Sequence, residues 1–250
     1  MYHRPFCDCL DGHAPTVAFH SDQQDTTADG WKRLLDLIDQ AAADGREEFD
    51  PRHDIPDLEW MHIVTLPPTI GTLTAVKRLF LYGSHLVRIP PEIGLMTSLE
   101  EFVPYTSDRL HWFPYEITRC ANLKDSTVST RCLYGNFKYR PPFPQLQPGR
   151  ATTRDLPLQA LDPGVWGATA ILTCSVCDQS LQDTGLYQAW ISRWVATDVL
   201  PLLINACSEA CLAQVPAAAE HYVPTLHQGG PMVEQPPRAH WIGQSGIHPC

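Results

Sequence analysis

The sequence predicts a mixed α/β fold in which short parallel strands alternate with short helical segments, followed by a small α+β domain. Three observations support this prediction. A pattern of apolar residues and prolines returns every 23 or 24 residues from residue 66 onward, an upstream segment is apolar at helical spacing, and two close cysteine pairs lie downstream. The search for repeats comes first, because a repeat architecture is misread when its period is missed.

A helix is predicted before the repeats. Apolar residues recur at helical spacing from Trp31 to Ala42, Asp29 can serve as N-cap, and Gly45 follows as a stop. The ends of stacked repeats expose core, so we expect this helix, over about residues 31–43, to cap the first repeat. An amphipathic helix that binds a partner is the alternative interpretation.

Three aligned segments carry the repeat. They read Leu-Pro-Pro-Thr-Ile-Gly-Thr-Leu from Leu66, Ile-Pro-Pro-Glu-Ile-Gly-Leu-Met from Ile89, and Phe-Pro-Tyr-Glu-Ile from Phe113. We call the units that begin there repeat units 1, 2 and 3. Each start predicts a turn and a short helical segment, because proline fixes φ near about −65°, and each is followed by the alternating pattern of a short strand. A weaker earlier strand is expected at residues 58–63, and a fourth start at residues 140–143.

These segments resemble the leucine-rich repeat family, in its intracellular class, whose unit runs Leu-Pro-x-x-Ile-x-x-Leu-x-x-Leu-x-x-Leu-x-Leu. Residues 66–89 match best, with Ser84 where the family prefers Asn. Later units depart from the pattern, since Pro104 and Ser126 occupy strand positions. The resemblance implies a short solenoid with parallel strands on its concave face and one core shared by neighbouring units.

The resemblance also implies which strand residues point away from the core, onto the concave face. Exposed aromatic side chains among charges of both signs have the composition of a protein-binding hot spot. Packing of some of them under flanking segments is the alternative. The predicted partner-binding residues are Trp60, His62, Arg78, Phe80, Tyr82, Glu101, Val103, Tyr105, Asp125 and Thr127, with Ser129 beside them.

Two close cysteine pairs predict a metal site downstream. Residues 178–206 separate Cys174 and Cys177 from Cys207 and Cys211. Four thiolates suit tetrahedral Zn²⁺, and a structural site uses all four ligands. The second pair follows an apolar run and is expected at a strand-to-helix junction, where free N–H groups favour thiolates. A redox-active dithiol and free buried thiols are the alternatives.

The same segment resembles treble-clef zinc folds, in which a knuckle supplies the first cysteine pair and a helix N-terminus the second. This resemblance implies a structural Zn²⁺ as the cofactor. A ubiquitin ligase of the RING type would need eight ligands, and the sequence offers four convincing ones. Cys7 and Cys9, with nearby histidines, form a weaker second candidate in a segment that also suits a disordered tail.

Charge and hydropathy exclude several classes of function. A formal net charge of −10 over 250 residues argues against nucleic acid as a partner. No apolar run approaches the roughly 20 residues of a membrane-spanning helix, and the first residues lack the apolar region of a secretory signal. We therefore expect a soluble, cytoplasmic protein with no membrane partner. Nine cysteines, an odd number, favour metal binding and free thiols over a disulfide scaffold.

The predicted organisation runs in six segments. They are an acidic disordered tail (1–29), a capping helix (30–54), leucine-rich repeats (55–147), a linker (148–164), a four-cysteine zinc module (165–223) and a flexible tail (224–250). The predicted function is a scaffold that binds a protein partner. The alternative is an effector-like enzyme, with a cysteine nucleophile or ubiquitin-ligase-like activity, that uses the repeats to choose its substrate. The usual catalytic motifs are missing, so no enzyme is predicted.

Overall fold

The computed structural model describes residues 17–147, 156–182 and 184–236. These residues form a mixed α/β fold with one parallel sheet, one mixed sheet and several short helical segments. Every described helix is too short or too polar to span a bilayer.

Helix α1 (Asp29–Asp44) confirms the predicted helix before the repeats. It ends at Gly45, whose φ of 68° is left-handed and whose N–H donates to the carbonyl of Ala41. Asp29 lies in the first turn rather than at the N-cap, which is Ala28. The apolar face packs against the 3₁₀ segment of repeat unit 1, so the helix covers that end of the core. Its buried residues are Gly30, Trp31, Leu34, Ile38 and Ala41.

The first strand lies earlier than predicted. Strand β1 (Glu48–Phe49) pairs in parallel with β2 (Arg78–Phe80). Residues 58–63, predicted as a strand, instead include helix α2 (Asp57–Trp60), which Pro56 precedes and whose first-turn carboxylates suit the helix dipole. Trp60 ends this helix and is buried in the core at 6% exposure. The structure therefore corrects the predicted place of Trp60, which does not lie on a strand face.

The parallel sheet has the strand order β1-β2-β3-β5. Its third and fourth members are β3 (Glu101–Val103) and β5 (Asp125–Ser126), while β4 (Phe113–Pro114) belongs to the second sheet. Repeat unit 1 supplies β2, unit 2 supplies β3 and unit 3 supplies β5. Leu79, Phe102 and Ser126 share one register row on the buried side of the sheet.

A 3₁₀ segment follows each repeat start. These segments are Pro68–Thr72, Pro91–Leu95 and Tyr115–Arg119, and neighbouring ones pack against each other. Glycine permits the close approach, because a Cβ on Gly94 would lie 2.5 Å from the carbonyl oxygen of Glu116. The central apolar residue of each segment is fully buried, so consecutive units share one core. These residues are Ile70, Ile93 and Ile117.

The second sheet closes the far end of the first. Strand β7 (Asp198–Ala206) pairs in parallel with β4 and antiparallel with β6 (Tyr187–Val195). The β6–β7 turn contacts β5, where the hydroxyl of Thr197 donates to the Ser126 carbonyl at 2.8 Å. Two one-turn helices, α3 (Pro163–Trp166) and α4 (Glu209–Leu212), flank this hairpin in the chain.

A second hydrophobic core, separate from the first, is mainly aromatic. The fourth repeat start, expected at residues 140–143, leads into no strand or helix within residues 141–147. Instead Phe143 packs in this core, and the indole N–H of Trp190 donates to the carbonyl of Pro144 at 3.0 Å. The members of the core are Phe19, Trp112, Tyr134, Phe143, Leu146, Trp190 and Leu203.

Residues 17–25, which we call the strap, run across successive repeat units. The side chain of Gln24 bonds the backbone of residues 62 and 64, and Arg88 donates to the carbonyls of His20 and Asp22. Asp22 also forms an ion pair with Arg109 at 2.8 Å. The prediction of a disordered tail is therefore wrong for residues 17–29, because they bury apolar and polar groups. Residues 1–16, including Cys7 and Cys9, lie outside the described residues.

The predicted linker and flexible tail are also partly packed. Residues 156–164 bury Leu158 and Leu161, while residues 148–155 lie outside the described ranges. In the predicted tail, His227 forms a bridge with Trp190, and Gly230 donates to the carbonyl of Phe143 at 2.9 Å. Residues 237–250, the rest of the predicted flexible tail, lie outside the described residues.

Candidate functional site

The first cysteine pair lies on a tight turn. Cys174 is buried and Cys177 is exposed. The N–H of Asp178 donates to the carbonyl of Cys174 at 3.1 Å, and the N–H of Cys174 donates to the carbonyl of Gln179 at 2.8 Å. Asp178 has a left-handed φ of 62°, which reverses the chain directly after the pair. The two cysteines therefore lie on one knuckle-like turn.

The second pair lies where β7 passes into helix α4, as the sequence predicted. Cys207 directly follows β7, and Cys211 lies within the helix. Between them, Ser208 caps the helix by accepting a hydrogen bond from the N–H of Cys211 at 3.2 Å. The cap and the single turn fix the two thiols on the same side of the chain.

The four sulfurs form one cluster, so all four predicted ligands are brought together. Their Sγ atoms lie within 4.8 Å of one another, with 3.6 Å between Cys177 and Cys207 and 3.4 Å between Cys207 and Cys211. Tetrahedral thiolate ligands of Zn²⁺ lie about 3.8 Å apart, since each Zn–S bond is about 2.3 Å. The cluster could therefore hold a metal ion with little movement. Among the described residues it is the sole metal-sized group of three or more His, Cys, Asp or Glu side chains.

Backbone N–H groups point at the buried sulfur of the cluster. The N–H groups of Val176 and Cys207 donate to Cys174 Sγ at 3.4 and 3.3 Å. Such hydrogen bonds stabilise a thiolate and orient it as a ligand. Burial and the neighbouring thiols raise the pKa of Cys207 to about 12, so a cation must replace the thiol protons before this sulfur ligates as thiolate.

Repeat unit 3 holds the first cysteine pair. The guanidinium of Arg119 donates to the carbonyl of Ser175 at 2.9 Å and pairs with Asp178 at 2.6 Å. Beside it, the carboxyl of Glu116 is buried, and burial raises its pKa while a hydrogen bond with Ser175 opposes that shift. Neither Glu116 nor Arg119 was predicted from the sequence, where both read as ordinary polar positions of a repeat.

The predicted partner-binding residues lie mainly on one face of the parallel sheet. We call this surface the open sheet face and define it as Arg78, Phe80, Tyr82, Glu101, Val103, Tyr105, Asp125 and Thr127. Phe80, Glu101 and Val103 are half-buried, and the others are exposed. His62 is exposed beyond α2, and Ser129 accepts a hydrogen bond from Thr106 N–H at 2.8 Å. Partner binding by this face stays a prediction.

The other candidate nucleophiles are held as neutral thiols. Burial raises the pKa of Cys120 to about 11, and burial together with the charge of Asp108 raises the pKa of Cys132 to about 12. A thiol, unlike a thiolate, is a poor nucleophile. The structure thus gives the enzymatic alternative no activated cysteine at these two positions.

The packing of the strap against the repeat units was not predicted from the sequence. The available signal was Phe19, an aromatic residue in an otherwise polar stretch, which is buried against Trp112 and Trp190. Its partners lie far along the chain, and no local pattern connects them.

Comparison of the chain with protein-family models, curated proteins and solved structures finds no match.

Proposed function

We propose that the chain is a protein-interaction scaffold. In this proposal the repeat units form a short leucine-rich-repeat solenoid, the open sheet face binds a protein partner, and the four-cysteine segment is a treble-clef-like module that Zn²⁺ holds in shape. The proposed compartment is the cytoplasm, where free thiols persist.

The observation that carries this proposal is the composition of the open sheet face. Tyr82 and Tyr105 are 42% and 45% exposed, and their ring centroids lie 5.9 Å apart. Rigid aromatic side chains bury a large area on binding at a small cost in entropy. They lie two residues beyond the ends of β2 and β3, where the N–H of Gly83 donates to the carbonyl of Tyr105 at 2.8 Å. The backbone beneath them is thus already ordered, which lowers the entropy cost when a partner docks.

Structural zinc is the metal that the cluster suits best. Four sulfur ligands leave no open position for water, which is the arrangement of structural rather than catalytic sites. Zn²⁺ held by Cys174, Cys177, Cys207 and Cys211 would fasten the knuckle-like turn to the end of β7. Its contribution would be folding energy, since a closed site has no position for a substrate.

The open sheet face is tested by removing two of its side chains. We expect the full chain carrying Phe80→Ala and Tyr105→Ala to lose any partner that the unaltered chain retains from native lysate, because hot-spot truncations typically weaken binding by about 2 kcal/mol or more. Binding of the identified partner to purified chain, measured by titration calorimetry, gives the size of the loss.

A matched control removes exposed apolar residues elsewhere. Leu95 and Leu172 are 51% and 48% exposed and lie outside the open sheet face. Leu95→Ala with Leu172→Ala should leave the partner bound. If the Phe80 and Tyr105 double variant keeps every partner that this control keeps, the open sheet face is not the binding site.

A further inference from the structure

The open sheet face carries two carboxylates, Glu101 and Asp125, that form none of the close ion pairs among the described residues. The strand register places Glu48, Arg78, Glu101 and Asp125 in one row across the sheet. Arg78 donates twice to Glu48, at 3.0 and 2.8 Å. Glu101 and Asp125 are direct neighbours on adjacent strands, about 4.8 Å apart at the backbone, and like charges so placed repel each other.

The cations of the adjoining row form ion pairs with carboxylates of the same row, although Lys124 also attracts Glu101 and Asp125 at longer range. Lys77 pairs with Glu47 at 2.6 Å, and Lys124 pairs with Glu100 at 2.5 Å. Each lysine of this row therefore already has its own carboxylate. The two rows together hold five carboxylates and three cations, so a negative charge remains in excess. Arg78 and Lys124 offset the repulsion between Glu101 and Asp125 only in part, and a partner's cation would relieve the rest.

Apolar and aromatic side chains follow in the direction of the strands. Phe80 and Val103 form the next outward row, and Tyr82 and Tyr105 the row after it. Side chains of an extended chain return to the same face every second residue, about 6.6 Å apart. The carboxylate row and the tyrosine row are thus about 13 Å apart, or four residues of an extended segment.

A groove continues this surface beyond the tyrosines. It has a volume of about 280 Å³, and its wall combines the apolar and aromatic residues Trp60, Met61 and Tyr82 with the polar residues Arg52, Asp57 and His85. Arg52 stacks on the ring of Tyr82, with the guanidinium 5.2 Å from the ring centroid, and fixes that side of the groove. A large apolar side chain that passes over Tyr105 and Tyr82 therefore meets a concave surface on which Trp60 and Met61 offer apolar contacts.

We propose that the partner of the open sheet face presents an extended segment with a Lys or Arg side chain on Glu101 and Asp125. An apolar side chain two residues away packs on Phe80 and Val103, and a larger one four residues away packs against the tyrosines. This inference rests on the proposed function and names its partner as a basic peptide segment. The net charge of −10 adds long-range attraction for such a partner.

The test is a selection of random twelve-residue peptides displayed on phage, on the metal-loaded full chain. Three proteins are compared: the unaltered chain, Glu101→Gln with Asp125→Asn, and the control Asp39→Asn with Glu220→Gln. The control removes one Asp and one Glu charge from exposed positions on other elements. We expect the unaltered chain and the control to enrich peptides with Lys or Arg four residues from a large apolar residue, and the face variant to lose that enrichment.

A synthetic copy of the most enriched peptide then measures the effect. Fluorescence anisotropy should show binding at least about tenfold weaker to the face variant than to the control, and weakening as salt is raised. Peptides that show no basic preference, or that bind the face variant as tightly as the control, would overturn the inference.

The same experiment separates this inference from the proposed function. Peptides that lack a basic residue but are lost with Phe80→Ala and Tyr105→Ala would leave the open sheet face a binding site and remove its basic specificity. Selection of no peptide by the unaltered chain would overturn the inference, while the proposed function would still be decided by whether the Phe80 and Tyr105 double variant loses its partner from lysate.

Discussion

His111 lies buried between the stacked ring of His20, 5.2 Å away by centroid, and the carbonyl of Cys132, which its Nδ1 meets at 2.7 Å. Burial is the main cause that lowers the pKa of His111 to about 3, and the neighbouring His20 adds to it. Burial likewise lowers the pKa values of His20 and His227 to about 4. All three side chains are therefore neutral in the folded chain at neutral pH.

These histidines predict that acid destabilises the fold. Their folded pKa values lie below the unfolded value of about 6.5, so between pH 6.5 and 4 the unfolded chain binds more protons and stability falls as pH falls. Each histidine contributes a slope of at most about 1 kcal/mol per pH unit in that window, and the fully buried His111 contributes most. We expect urea unfolding of His111→Asn to show a shallower loss between pH 6.5 and 4.5, because Asn keeps a donor for the Cys132 carbonyl and takes up no proton.

Substitution of an exposed histidine is the control. His62→Asn changes a side chain at the surface and should leave the slope of the unaltered chain. Equal slopes for His111→Asn and the unaltered chain would show that proton uptake by His111 does not drive the acid loss.

The cluster of four cysteines was predictable from the sequence, because two close cysteine pairs have the spacing that is typical of metal ligands. Glu116 and Arg119 were not, since their role depends on Ser175 and Asp178, more than fifty residues away in sequence. Trp60 was misplaced because a residue between Leu58 and Met61 fits a strand as well as a helical turn. Contacts between residues far apart in sequence determine where such side chains lie, and local sequence spacing does not predict those contacts.

Glycine sets the distance between neighbouring 3₁₀ segments. A Cβ on Gly71 would lie 2.9 Å from the carbonyl oxygen of Glu92, and one on Gly94 would lie 2.5 Å from that of Glu116. In both cases the obstacle is backbone, which cannot rotate away as a side chain does. The same glycine thus recurs at the same place in repeat units 1 and 2, and gives their stacking its spacing.

Alanine at Gly94 should therefore destabilise the fold, despite alanine's better helical propensity. We expect a loss of about 1–3 kcal/mol in the free energy of unfolding, the usual cost of overpacking. Urea unfolding followed by circular dichroism measures it. Thr97→Ala, at an exposed position just past the same segment, should change stability by less than about 0.5 kcal/mol. An equal effect of the two substitutions would contradict tight stacking at Gly94.

The elements that repeat were predicted well, and those at the edges were not. Strands β2 and β3 and the three 3₁₀ segments lie where the period of 23 or 24 residues puts them. Strand β1 has two residues and precedes β2 by 30 positions. It is too short to show an alternating pattern, and its spacing does not match the repeat period of 23 or 24 residues. Helix α1 was predictable because its apolar stripe is long enough for its period to be read.

The four-cysteine cluster joins parts of the molecule that the sequence keeps apart. One side of it is tied to repeat unit 3 through Arg119, and the β6–β7 hairpin beyond it is tied to β5 through Thr197. The two sheets are therefore linked at both ends of the hairpin. We therefore expect that disruption of the cluster destabilises the repeat units as well as the cysteine segment.

Metal removal should lower the stability of the whole chain. We expect one zinc per chain by elemental analysis, and a Tm that falls by several degrees when a chelator removes it, because binding energy of a structural metal is folding energy. Cys177→Ser should abolish stoichiometric zinc and match the chelated protein, since Cys177 is the exposed cysteine of the cluster and its loss leaves no cavity. Cys132→Ser, a cysteine outside the cluster, should keep its zinc. Metal-free protein with an unchanged Tm would contradict a structural role.

The strap has a consequence for the order in which the molecule is completed during synthesis. Residues 17–25 leave the ribosome before any of their partners, and the arginines that bind His20 and Asp22 follow 66 to 87 residues later. Trp190, against which Phe19 packs, is made later still. Long loop closures of this kind are slow, because chain entropy is lost before contacts repay it. We therefore expect the strap to be among the first segments made and among the last to dock.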